Sequence, residues 1–211
     1  MNNIEFVHLH NHSEYSFLDG ACRINDMINW ASETGAPAVA ITDHGGLFGV
    51  LDFYKAAKKK GVKPIFGCEV YFAGNRYNRD AKSKREAANH LVLLAENKIG
   101  YKNLIKLISF GYTEGFHYVP RIDKELLSEY HEGLIALTGC IKGRVASLIG
   151  ENKYNEAKEH LHQLAEIIGK DNIYLELSLH GIDEEAAIMP RMMDLSKETG
   201  IPAVATNDCH Y

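Results

Sequence analysis

The chain has 211 residues, 45% hydrophobic and 24% charged, with a formal net charge of −5, the profile of one ordinary globular α/β domain. No apolar stretch approaches the roughly 20 residues of a membrane span, and the opening Met-Asn-Asn-Ile-Glu lacks the basic and apolar segments of a secretory leader, so a cytoplasmic protein without a membrane partner is expected. The acidic balance argues against gripping nucleic acid by long-range attraction alone, although bound divalent cations would reverse the local sign.

In chain order, β-rich runs fall at residues 6–10, 38–42, 64–71, 91–95, 134–138, 173–179 and 203–206. Most are near-continuous apolar runs, as in strands buried on both faces. Helical spacing separates them: Ile24, Met27, Ile28 and Ala31; then Tyr101, Leu104, Ile105 and Ile108; then Tyr154, Ala157, Leu161, Leu164, Ala165 and Ile168. One unit repeats. Glu33-Thr-Gly-Ala-Pro-Ala-Val-Ala-Ile-Thr-Asp43 resembles Glu198-Thr-Gly-Ile-Pro-Ala-Val-Ala-Thr-Asn-Asp208, and Lys60-Gly-Val-Lys-Pro64 is a milder version. Each predicts a helix closed by a left-handed glycine, a proline that forbids continuation, then a strand. Seven strands in this grammar, with helices between them, predict a parallel sheet closed into a barrel more than an open doubly wound sheet. Residues 73–88 carry Arg76, Arg79, Lys82, Lys84 and Arg85 and read as a long basic loop, either solvated or clamping a phosphate backbone.

Four cysteines, at 22, 68, 140 and 209, form no Cys-x-x-Cys pair, which excludes a zinc finger or thioredoxin motif and favours free thiols. Eleven histidines are more telling. His8, His10 and His12 alternate, so a regular strand would put them on one face. The other strand ends supply Thr42-Asp43-His44, Glu69, Gly139-Cys140 and Asp208-Cys209-His210. Polar groups buried there without partners would each cost about 2–7 kcal/mol; bound cations remove the penalty, because imidazole, carboxylate and thiolate are ligands. His90 fits badly, since it precedes its strand. Arg121, Lys142, Arg144 and His180 are candidates for holding substrate phosphates. Neither a Gly-x-Gly-x-x-Gly or P-loop motif nor a Gly-x-Ser-x-Gly elbow occurs, which disfavours an open nucleotide-binding sheet and covalent catalysis by serine.

The ordered set His8-Leu-His-Asn-His-Ser-Glu-Tyr-Ser-Phe-Leu-Asp-Gly20, Ala40-Ile-Thr-Asp-His-Gly45, Gly67-Cys-Glu-Val-Tyr71, Asn89-His-Leu-Val-Leu-Leu-Ala-Glu-Asn97, Leu137-Thr-Gly-Cys140 and Ala205-Thr-Asn-Asp-Cys-His210 resembles the polymerase and histidinol phosphatase (PHP) family. More narrowly, it is similar to the PHP domains of bacterial DNA polymerase III α subunits. The resemblance spans nearly the whole chain and implies a distorted seven-stranded (β/α)7 TIM-like barrel, the α/β fold of the family, and one PHP domain over residues 1–211, an N-terminal piece of a larger polymerase or a stand-alone relative.

It also implies up to three divalent ions, zinc, manganese or iron. His10, His12, Glu69 and Asp208 would hold the first, Glu69, His90 and Cys140 the second, and Asp19, His44 and His210 the third. Cys140 and Asp19 stand where other family members often have histidine. Glu69 and Asp208 would act in catalysis through metal-activated water. The implied activity is 3′–5′ exonuclease hydrolysis of DNA. The implied partners are a DNA 3′ end, the polymerase body and a proofreading or clamp-associated replisome subunit. A small-molecule phosphatase of the histidinol-phosphatase type and a non-catalytic metal-stabilised scaffold stay open as alternatives.

Overall fold

Glycines 35, 61 and 200 close three helices at φ 69°, 72° and 66°, the left-handed conformation that a side chain would strain. In each case a strand begins two or three residues later, as the helix-Gly-x-Pro-strand unit predicts. The computed structural model describes residues 6–17 and 19–209. Its helices and strands, in chain order, are α1 (Ile24–Thr34), β1 (Ala38–Ile41), α2 (Val50–Lys60), β2 (Lys63–Phe72), α3 (Lys84–Ala87), β3 (Asn89–Ala95), α4 (Lys98–Thr113), β4 (Arg121–Ile122), α5 (Lys124–Glu129), β5 (Leu134–Leu137), α6 (Arg144–Gly150), α7 (Tyr154–Ile168), β6 (Ile173–Leu177), α8 (Asp183–Thr199) and β7 (Ala203–Ala205). Among the described residues no helix is long and apolar enough to cross a membrane.

The strands form one curled sheet in the order β1-β2-β3-β5-β6-β7, with β4 paired to β2. It is not wholly parallel. β3 runs antiparallel to both β2 and β5, whereas β1–β2, β5–β6 and β6–β7 are parallel. This reversal brings the start of β3, and with it His90, to the end of the barrel where the parallel strands finish. The helix-to-strand grammar could not show it, because residues 73–88 return the chain to β3 without a full crossover helix.

Among the described residues seven strands are found, but not the seven expected. β4 is a two-residue strand with no apolar run to announce it. The expected strand at 6–10 is instead extended chain joined to the sheet by isolated bridges, His8 to Val39 and Asn11 to Cys209. This segment therefore links the two edges of the sheet, β1 on one side and the residues after β7 on the other. His8 and Asn11 both turn main-chain oxygens toward β1, accepting from Ala40 and Thr42. They are three residues apart, an odd number, so the two-residue alternation is broken once between them. For that reason His8 does not share a face with His10 and His12. It packs edge-on against Trp30 at 4.7 Å, outside the barrel interior.

The strands alternate between two apolar layers. Val70, Leu91 and Leu93 face outward onto Leu104 and Leu107 of α4, Leu127 of α5 and Leu161 and Leu164 of α7. Ala40, Val92, Leu94 and Leu137 face inward. A fully buried leucine of this kind contributes about 1.5–3 kcal/mol of transfer free energy.

Within the basic stretch 73–88, Arg76 is turned inward, whereas Arg79, Lys82 and Lys84 are exposed. Arg76 is 7% exposed; its guanidinium donates to Asp123 at 2.7 Å, Glu125 at 3.1 Å and Glu114 at 3.2 Å. Arg79 donates to the carbonyls of Arg76 and Glu114. Arg121, 1% exposed, donates to the carbonyls of Gly115, Arg76 and Asn78. These arginines replace the missing ladder of an irregular segment.

Candidate metal centre

His10 and His12 leave the N-terminal segment on the same side and are both 0% exposed. Their Nε2 atoms lie 3.1 Å apart. Asp208 Oδ1 stands 3.3 Å from His10 Nε2 and 3.2 Å from His12 Nε2. From β2, Glu69 approaches the same pair, Oε1 at 3.5 Å from His10 and Oε2 at 3.3 Å from His12. Glu69 Oε1 also meets His90 Nδ1 at 2.7 Å, and Asp19 Oδ2 lies 3.2 Å from His44 Nε2. Three sets of donor atoms converge closely enough to hold a cation: His10, His12 and Asp208; His12, His44 and Glu69; and Glu69, His90 and Cys140. His210 lies outside the described residues.

Several of these atoms are placed for a cation and not for one another. Glu69 Oε2 and His44 Nδ1 lie 2.7 Å apart, yet both are buried without a hydrogen-bond partner, and so is Asp19 Oδ1. Buried acceptors without well-aligned donors are costly, and a divalent ion among them would satisfy them. The donor set fits: imidazole and carboxylate admit zinc, manganese or iron, and the Cys140 thiol tilts one position toward softer ions.

The electrostatics follow from burial. Burial alone would raise the Glu69 carboxyl, but neighbouring His10, His44 and His90 hold it well below the usual range. Asp208 behaves likewise, held down by His12 and His10 against burial. Burial, with Glu69 and Asp208 nearby, pushes the Cys140 thiol far up, so a cation is needed to draw off its proton.

Glu176 on β6 was not anticipated from the sequence. It is 3% exposed; its Oε1 receives His10 Nδ1 at 2.6 Å and Thr206 Oγ1 at 2.6 Å. The carboxylate thereby fixes the tautomer and ring plane of His10 and leaves Nε2 to face the centre. The available signal was a lone acid in the apolar strand Ile-Tyr-Leu-Glu-Leu. Asp43 was noticed only as part of an Asp-His pair. It accepts from Ser13 N–H at 2.6 Å, Ser13 Oγ at 2.8 Å and Ser16 Oγ at 2.8 Å, and so folds the turn that carries Asp19.

The residues expected to hold phosphate are not gathered together. Lys142 is exposed beside the centre, its carbonyl receiving His90 N–H at 3.1 Å. Arg144 opens α6, close enough to His160 on α7 to lower its pKa. Arg121 points inward, its Nε and Nη2 donating to main-chain carbonyls, so in this structure it tethers a loop. His180 has both ring nitrogens engaged, by Glu185 and by the carbonyl of Asn207.

The sequence profile of the PHP domain matches residues 8–180. The chain belongs to the PHP family. Proteins named DNA polymerase III subunit alpha are similar to it: 46% identical over 207 residues in Borreliella burgdorferi, 42% over 212 in Treponema pallidum and 43% over 213 in Aquifex aeolicus. Each alignment covers 98–100% of this chain but 18% of the relative, so the chain spans less than a fifth of these proteins. Among solved structures, a protein from Bifidobacterium adolescentis assigned as a metal-dependent phosphoesterase superposes with TM-score 0.54 at 12% identity, covering 96% of this chain and 86% of that one. An amidohydrolase from Chromobacterium violaceum superposes with TM-score 0.53 at 17% identity, covering 97% and 87%. At these identities the likeness is one of fold, and the PHP barrel is that fold.

Proposed function

We propose that this PHP domain hydrolyses phosphodiester bonds at a DNA 3′ end, as a 3′–5′ exonuclease within a DNA polymerase III α chain of the cytoplasm. The observation that carries the reading is the convergence of His10, His12, Glu69 and Asp208 around orphaned buried acceptors. The polymerase body and DNA as partners rest on the names of the relatives, as does a proofreading or clamp-associated replisome subunit.

Up to three divalent ions are expected, with His210 completing the set around Asp19 and His44; held there, they supply Lewis acidity toward a phosphoryl oxygen and the attacking water. The chain's own residues do the rest. Glu69 faces two donor sets at once and sets their spacing. Glu176 orients His10. Asp208 and Glu69, kept ionised by the surrounding histidines, balance the cationic charge. Lys142, exposed and next to His90 through its main chain, would meet a phosphate of the incoming strand.

The test is hydrolysis of a 5′-labelled single-stranded oligonucleotide by Mn2+- or Zn2+-loaded protein, beside histidinol phosphate. One-nucleotide shortening from the 3′ end, lost about a thousandfold in Glu69→Gln as expected for removal of a metal-clamping carboxylate, supports the proposal. Turnover of histidinol phosphate alone would replace it with a small-molecule phosphatase, and turnover of neither with a scaffold.

A further inference from the structure

Asp208 reaches His10 and His12 from a backbone at φ 40°, one of three described non-glycine residues with positive φ. Such a conformation persists when its surroundings over-determine it. The residue one position upstream, Asn207, is held from outside its own loop. His180 Nε2–H donates to the carbonyl oxygen of Asn207. His180 Nδ1–H donates to Glu185 Oε1 at 2.7 Å, and the His180 main-chain N–H donates to Glu185 Oε2 at 2.7 Å.

A carbonyl and a carboxylate have only lone pairs to offer, so the ring carries a proton on each nitrogen. Burial pulls the ring's pKa down, but the bonds to Asn207 and Glu185 outweigh it and raise the value. Glu185 is itself 4% exposed and lies in the first turn of α8, where the helix dipole favours an anion. Since α8 packs on α6 and β6, the clasp is anchored in rigid structure.

We propose that Glu185 and His180 are positioning residues that clamp the Asn207–Asp208 peptide and thereby aim the Asp208 carboxylate at the metal centre. A purely local role, capping α8, accounts for the bond from His180 N–H to Glu185. It does not account for the ring's second bond, which crosses 27 positions to Asn207. The inference rests on the metal reading above and adds to it two residues that touch neither ion nor substrate.

The test is Zn2+ affinity by chelator competition on metal-stripped protein, with circular dichroism and thermal midpoint as controls for folding. His180→Ala and Glu185→Gln should each weaken the tightest site about 10–100-fold, the range for losing an outer partner of a ligand. His180→Gln, which keeps a donor for Asn207, should recover part of the loss, and Ile182→Ala should bind as the unaltered protein does. In an Asp208→Ala background, His180→Ala should add nothing, because the clasp then has no ligand to aim. Folded His180→Ala that binds Zn2+ normally, or a loss that persists undiminished in the Asp208→Ala background, overturns this inference and leaves the metal reading standing. Unaltered protein that takes up no Zn2+ overturns both.

Discussion

At one mouth of the barrel, contacts of 3.1–3.5 Å link His10, His12, Glu69 and Asp208. At the other, Leu9, Ile65, Phe66, Leu94, Ile135 and Leu137 line a cavity of about 710 Å3, with Lys63 and Lys98 also on its lining. The same chain segments build both. The N-terminal segment puts Leu9 at the apolar mouth and His10 and His12 at the polar one, and β2 runs from Ile65 and Phe66 to Glu69. Chemistry is thus set by position along a strand. The polar mouth gathers ligands, while the buried inner and outer apolar layers supply the burial that stabilises the fold.

This division can be broken from the apolar side first. Leu137→Ala removes a side chain that is 1% exposed from the inner wall, and should cost about 2–5 kcal/mol in urea unfolding with metal content per folded chain unchanged. A parallel fall in metal content would mean that the two mouths are not independent.

Arg121→Met tests the tether that holds the segment after β2. It leaves the carbonyls of Gly115, Arg76 and Asn78 without their donor and should cost about 1–3 kcal/mol, with faster proteolysis between 73 and 88. Nuclease KM should not move; a rise in KM would return Arg121 to the phosphate-binding residues.

His160 gives a smaller, pH-dependent effect remote from the centre. Burial, with Lys124 and Arg144 nearby, lowers its pKa from 6.5 to about 4. Below pH 6.5 the unfolded chain accepts a proton that the folded chain refuses, so this residue costs stability progressively as pH falls from 6.5 toward 4 and no further below that. His160→Gln should flatten the acid side of the stability curve in that window and leave it unchanged above pH 7.

Much of this was legible in the sequence for reasons that can be named. The Gly-x-Pro units fix helix ends through backbone sterics, which are local, so three helix-to-strand junctions could be read directly. Apolar runs likewise marked six of the strands. What escaped depends on long-range placement. The direction of β3 is set by pairing with β2 and β5, and nothing within residues 89–95 encodes it. The break in alternation after His8 comes from bridging two sheet edges at once. Arg121 and His180 carry the same side chains whether they face phosphate or a carbonyl 27 to 45 positions away, so their direction could not be read. Glu176 was visible as an acid among apolar neighbours, but its partner His10 lies 166 positions distant.

The central claim is that the polar mouth is a metal centre organised by Glu69. Elemental analysis of protein purified without chelator, unaltered and as Glu69→Gln, tests it most directly. The account predicts roughly two to three equivalents of zinc, manganese or iron per chain, falling to about one or fewer in the variant, because Glu69 belongs to two of the three donor sets. Near-zero metal in the unaltered protein after reconstitution, or full occupancy in a folded Glu69→Gln protein, would contradict it.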